Sequence, residues 1–324
     1  MRRLKDDRGA TLVIFAMAMA GLLGLVGLAV DAGAIYLERR ELATAADAAA
    51  LAIAEDCALG ARPCDTATAE ATAAVLADEN SPDGTSAVAG LSLSPSGRTV
   101  TVVAGSRNPD GTTTVRPFFA QVVGWDGMTV EASATAIWGY PRTVRTFLPL
   151  VISECEHPRG TPLPTAERVY YFHDGNNVEE CNAIAGMDTD GDGKLSGGYG
   201  WLSSAGDCDA MFTAGTWQGA DPGSSPPSAC SPAEFAALVG DEIPLPIFDD
   251  IEDLGSGGRY HLAGFGLFHV TGYNFGGQYK APTAGTAPCS GDERCISGYF
   301  TTGTVFEGET GGQDWGFVIV KLTG

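Results

Sequence analysis

The sequence lacks every compact catalytic signature. It contains no Cys-x-x-Cys, no His-Glu-x-x-His, no Gly-x-Ser-x-Gly and no glycine-rich phosphate loop. Its four histidines, His157, His173, His261 and His269, are scattered. Basic residues are scarce: 19 Lys and Arg face 40 Asp and Glu, for a formal net charge of −21. Residues 1–9 hold four basic and two acidic side chains, so the rest of the chain carries about −23. Such a surface repels nucleic acid and anionic membrane, and no nucleic-acid partner is expected. Adjacent acids such as Asp249 with Asp250, or Glu179 with Glu180, point to opposite faces of a strand, which removes them as an acid and base pair. His261 and His269 read as surface or groove residues of a strand. The chain is therefore not expected to be an enzyme.

One apolar run stands out against this acidity. Ala10–Val30 holds twenty-one residues without a charge. As a helix rising about 1.5 Å per residue it spans roughly 30 Å, the hydrocarbon thickness of a bilayer. Arg2, Arg3, Lys5 and Arg8 precede it and only Arg39 and Arg40 follow closely, which predicts a cytoplasmic N-terminus. A cleaved signal peptide has a shorter apolar region ending at a small-x-small site; here the span is longer and runs on into helical sequence. Ala16, Ala20 and Gly24, with Gly21 and Gly27 beside them, form a stripe of small residues on which another helix can pack.

All eight cysteines follow the span. An even count on the predicted outer side fits disulfides in an oxidising compartment, and no Cys or His spacing favours zinc. Proximity pairs Cys57 with Cys64 and Cys289 with Cys295. Cys155 with Cys181 and Cys208 with Cys230 complete the set without a residue-level reason, since eight cysteines allow 105 pairings.

After the span, Asp31–Ala58 is rich in Ala, Leu, Glu and Arg, which predicts one long helix running from membrane into solvent. Its alanines, Ala45, Ala46, Ala48, Ala49, Ala50 and Ala52, suit tight packing. Asp65–Glu79 forms a second helix, ended by Ser81-Pro82-Asp83-Gly84. From Ala87 the period becomes two: Leu91 and Leu93, then Val100 and Val102, flank the turn Ser94–Arg98 and predict a hairpin. Asn108-Pro109-Asp110-Gly111 is a further turn, Pro117–Gly124 a short helix, and Met128–Trp138 another strand. These elements make a small α+β domain.

The run Arg8-Gly9-Ala10-Thr11, the span, and the string from Asp31-Ala32-Gly33 through Tyr36, Arg39, Glu41-Leu42, Ala45 and Asp47-Ala48-Ala49-Ala50 closely resemble the TadE/TadG-like family of tight-adherence, or Flp, pilus assembly proteins. Phe118–Gly124 followed by a strand ending Ala132-Ser133-Ala134-Thr135-Ala136 is similar to that family too, so the resemblance covers about residues 8–139. It implies a membrane-anchored component of pilus assembly or anchoring whose partners are the bilayer and other pilus assembly or pilin-like subunits. Pilin-like relatives carry a glutamate five residues into the mature helix; counted from a cut after Gly9, that position here is Ile14. Many TadG-like proteins carry a von Willebrand factor A domain with an Asp-x-Ser-x-Ser motif, and this chain has none.

Tyr140–Pro149 reads as a connector. Beyond it the chain is rich in glycine and cysteine, with candidate strands at Arg168–Phe172, Pro244–Phe248, Tyr260–Tyr273, Ile296–Thr301 and Trp315–Leu322. One helix, Pro232–Val239, has Ser231 as N-cap and Glu234 at N3, a capping box. The sharpest chemical motif is Asp188-Thr189-Asp190-Gly191-Asp192-Gly193-Lys194. Carboxylates of Asp188, Asp190 and Asp192 at positions 1, 3 and 5, with glycine at 6 and the Lys194 carbonyl at 7, match the oxygen-rich loop that Ca2+ requires. Position 12 is Tyr199 rather than glutamate, so the loop is not an EF-hand. Glu179, Glu180, Asp207 and Asp209 are candidates for the last carboxylate. A structural calcium ion is expected there.

The sequence thus predicts an N-terminal transmembrane helix (10–30) after a cytoplasmic tail (1–9), continuing into a helical stalk with a small α+β domain (31–139). A disulfide-rich, mainly β domain (140–324) follows. Localisation to a bacterial cell membrane, single-pass with both domains extracytoplasmic, goes with it. The competing functional reading is a surface adhesin or ligand-binding module with a calcium-stabilised β domain.

Overall fold

The computed structural model describes residues 8–81, 84–108, 110–158, 163–164, 166–172, 180–182, 194–204, 206–252, 257–281 and 288–323. Contacts divide the chain into two units, residues 1–137 with 322–324, and residues 138–321.

The first unit is built on α1, Arg8–Leu59, a single helix of 52 residues and therefore about 80 Å long. No proline interrupts it, and its Ala, Leu, Glu and Arg content sustains helix past the apolar run. Its two halves differ sharply in environment. From Thr11 to Val30 every residue is exposed except Gly27. From Leu42 onward, Ala45, Ala46, Ala49, Ala50, Ile53 and Ala54 are buried at the three- and four-residue spacing of one helix face.

That face packs on α2, Thr66–Glu79, and on the sheet beside it. Asp65 caps α2 by accepting from the Thr68 amide at 2.8 Å. Its buried side, Ala69, Thr72, Ala73 and Ala77, is as small as the facing stripe of α1, so the two helices approach closely. The disulfide Cys57–Cys64 closes the turn between them. Most of the alanine face is therefore consumed within the chain.

Strands β1 (Ser86–Ser94) and β2 (Thr99–Ser106) form the expected hairpin, with Leu93 opposite Val100 and Leu91 opposite Val102. Arg98 completes the turn with a positive φ of 52°. Short strands β3 (Thr114–Val115) and β4 (Met128–Thr129) pair with each other. Between them lies a 3-10 turn, Ala120–Val123, where the sequence predicts a short helix. Strand β5 (Glu131–Gly139) then pairs antiparallel with β2, and α1 packs on β2, whose Val100, Val102 and Ala104 are buried.

The second unit is mainly β. In chain order its strands are β6 (Pro141–Thr146), β7 (Leu150–Ser153), β8 (Arg168–Tyr171), β9 (Glu180–Asn182), β10 (Lys194–Ser196), β11 (Tyr199–Trp201), β12 (Ala210–Thr213) and β13 (Trp217–Gly219). Helix α3 (Pro232–Ala237) follows, then β14 (Glu242–Glu252), β15 (Arg259–Gly276), β16 (Tyr279–Ala281), β17 (Cys295–Thr301), β18 (Gly303–Val305), β19 (Glu309–Thr310) and β20 (Phe317–Leu322). The 18-residue β15 is the spine: β13, β14, β16 and β17 all pair with it antiparallel. β7 joins β14 in parallel, and β18 pairs β20 in parallel.

Five of these elements overlap the sequence's candidate strands, and α3 carries the expected capping box: the Ser231 amide donates to Glu234 at 2.6 Å and the Glu234 amide to Ser231 at 3.3 Å. The expected connector Tyr140–Pro149 is a correction. Its first half is β6, held between β12 and β19. Exposed Arg142 and Arg145 lie there among buried Pro141, Val144 and Thr146, a pattern that does not keep the period of two by which strands are read from sequence.

The core of this unit is aromatic. Trp201, Tyr199, Phe235 and Phe275 meet edge to face at centroid distances of 5.0–6.0 Å. Three disulfides, Cys155–Cys181, Cys208–Cys230 and Cys289–Cys295, staple it, so all four pairings match those chosen from sequence.

Candidate functional site

The first candidate region is where the apolar half of α1 meets the 3-10 turn. Asp31 is the first charged residue after the span, and it is buried to 3 % exposure. One carboxylate oxygen accepts from the amides of Phe118 at 2.7 Å and Phe119 at 3.2 Å. The other accepts from Phe119 at 3.0 Å and Ala120 at 2.7 Å. Three consecutive amides that open a helical turn have no carbonyl partners of their own, and a carboxylate satisfies them with complementary charge.

One helical turn earlier, the Phe119 ring lies on Gly27. A Cβ at that glycine would sit 2.9 Å from the Phe119 Cβ and Cγ, so only glycine admits the ring. Gly21 and Gly24, by contrast, have nothing within 4 Å of a built Cβ. Of the small-residue stripe read from sequence, Gly27 is occupied by the chain itself. The clamp was not foreseen; the signal for it is a lone acid directly after a membrane-length apolar run.

The second candidate region is the hairpin β9–β10. Lys194 opens β10 opposite Asn182, Leu195 lies opposite Cys181, and Cys181 is bonded to Cys155 just beyond β7. Leu195 is buried against Val151 and Phe248, so both ends of segment 183–193 are fixed to the core. Asp188, Asp190 and Asp192 fall outside the described residues, as does Glu179. Of the other candidates for a fourth carboxylate, Asp209 is engaged by Arg145, and Asp207 is exposed beside the disulfide-bonded Cys208. Among the described residues, no group of three or more His, Cys, Asp or Glu side chains is arranged to hold a metal ion.

Beside this hairpin the unit buries several acids. Glu156 accepts from Arg168 at 3.1 Å and from the Gly198 amide at 3.2 Å. Asp249 lies 2.5 Å from the Nδ1 of His261, whose ring also contacts Trp217 at 5.3 Å. The β14–β15 register shifts between Phe248 and Asp250, at Asp249. Both acids are buried, as is every residue from Ile243 to Asp250, because β14 is covered on both faces. His269, on the same strand as His261, stacks on Tyr299 at 4.8 Å. Both histidines thus have structural partners.

No curated protein and no solved structure gives a match to this chain. Residues 9–55, which are the span and the greater part of α1, match the family model described as "Putative Flp pilus-assembly TadE/G-like".

Proposed function

We propose that the chain is a membrane-anchored, extracytoplasmic component of tight-adherence (Flp) pilus assembly or anchoring that acts by binding other proteins. One observation carries the reading: the segment matching the pilus-assembly family is the helix whose apolar half is long enough to cross a bilayer and, Gly27 apart, is left uncovered by the rest of the chain. The basic tail before it favours a cytoplasmic N-terminus. The disulfides favour an oxidising compartment for both units. The exposed face of small residues at Ala16, Ala20 and Gly24 offers a seat for the helix of another pilus subunit. The chain's work is association rather than catalysis, and the Asp188–Lys194 loop holds a structural Ca2+, a reading supported by its carboxylate spacing.

Deletion of the gene, with electron microscopy and surface immunodetection of pilin, tests the proposal. Loss of surface pili with pilin retained in the cell is expected. Normal piliation with lost surface adhesion overturns it in favour of the adhesin reading.

A further inference from the structure

The loop clamped by Asp31 is itself apolar and faces outward. Between exposed Arg116 and exposed Asp126, residues 117–125 read Pro-Phe-Phe-Ala-Gln-Val-Val-Gly-Trp. Phe118 is 80 % exposed and Val122 88 % exposed, and Trp125 is exposed as well. An outward patch of this kind on a short loop is unusual unless it is covered.

Its depth is fixed by the helix it rides on. Phe119 seats on Gly27, which precedes Val30, the last residue of the apolar run, by three positions. At about 1.5 Å per residue the ring lies roughly 5 Å inside the end of that run. The loop is therefore continuous with the lipid-facing surface of α1.

Most of its amide donors are already paired. The amides of Phe118, Phe119 and Ala120 donate to Asp31. Those of Val122, Gly124 and Trp125 donate to carbonyls within the loop at 3.0–3.1 Å. The amide side chain of Gln121 turns back to donate to the Pro117 carbonyl at 2.7 Å. Backbone whose donors are mostly paired internally enters a water-poor layer at lower cost than backbone with open amides.

We propose that this loop is a membrane-embedded wedge: Phe118, Val122 and Trp125 insert into the leaflet from which α1 emerges, and fix the height and rotation of the first unit on the bilayer. The inference rests on α1 spanning the membrane. Arg116 and Asp126 stay at the headgroups, and Trp125 takes the interfacial place that tryptophan favours.

The test uses the full chain in phosphatidylcholine vesicles whose acyl chains are brominated near the headgroup, with one tryptophan added at a time and the emission of the unchanged chain subtracted. Val122→Trp reports on the loop, Leu23→Trp on the span and Val75→Trp on exposed α2; all three positions are exposed, so the fold tolerates them. Quenching of the tryptophans at 122 and 23, with none at 75, is expected. Quenching at 23 without quenching or a blue shift at 122 overturns the wedge and leaves the span intact. Absence of quenching at 23 as well overturns the spanning reading on which it rests. Phe118→Trp repeats the loop measurement with a ring already in place.

Discussion

Asp31 and Phe119 are joined twice: both carboxylate oxygens of Asp31 accept from the single backbone amide of Phe119, at 3.2 and 3.0 Å, while each also takes one neighbouring amide. One side chain thereby binds a loop almost ninety residues away to the end of the apolar run. Replacing it by Asp31→Ala strands three amides. Hydrogen exchange at Phe118, Phe119 and Ala120 then speeds up by at least tenfold, while exchange in α2 stays unchanged. Unaltered exchange at the three amides contradicts the clamp.

Gly27 and Gly24 lie one turn apart in α1 with opposite prospects. Gly27→Val drives a side chain into the Phe119 ring, an overpacking that costs about 1–3 kcal/mol. Gly24→Val meets open space. Thermal unfolding in detergent, read by fluorescence, falls by several degrees for the first variant only. If the second also loses pili in cells while remaining stable, the small-residue face around Ala20 and Gly24 is the contact with another subunit.

Two buried tyrosines separate packing from hydrogen bonding. The Tyr199 hydroxyl finds no hydrogen-bond partner among the described residues, so Tyr199→Phe removes an unsatisfied buried group and stabilises by about 1 kcal/mol. Burial pushes the Tyr170 phenol up to about 12. A raised phenol contributes stability that is complete below its unfolded value near 10 and is lost as pH rises through its folded value. Chemical denaturation between pH 9 and 12 therefore steepens in the native chain and flattens in Tyr170→Phe.

How far the sequence could be read depended on range. Local signals carried well. The unbroken helix formers of 31–58, the capping pair Ser231 and Glu234, and the alternation of Leu91, Leu93, Val100 and Val102 all act within a few residues, and each element forms where it is expected. Long-range pairing was opaque. Nothing near Pro141 or Arg145 announces that β6 is held between β12 and β19, because its partners lie some 65 and 165 residues away. The alanine face of α1 was visible, but not that α2 of the same chain covers it. At the membrane end, Asp31 was legible only as part of a family string. Its partners are backbone amides, which leave no trace in side-chain chemistry.

Calcium gives a direct handle on the β9–β10 hairpin. If Asp188, Asp190 and Asp192 hold the ion, Ca2+ raises the melting temperature of the native chain by several degrees, since ligand bound only to the folded state stabilises it. EDTA reverses the gain, and Asp190→Ala shows none. Equal melting temperatures with Ca2+ and with EDTA contradict the site. The Cys155–Cys181 bond, which closes 26 residues around this segment, contributes about 3 kcal/mol. Cys155→Ala paired with Cys181→Ala therefore lowers stability, and with it the Ca2+-dependent gain in melting temperature if the loop holds the ion.

The measurement that bears most directly on the central claim is affinity capture of the full-length chain from mild detergent, with mass spectrometry of what accompanies it and of its own N-terminal peptide. The account predicts co-purification of pilus assembly or pilin-like subunits, lost in Gly24→Val, with the basic tail up to Gly9 intact. Recovery of the chain alone from piliated cells would contradict it.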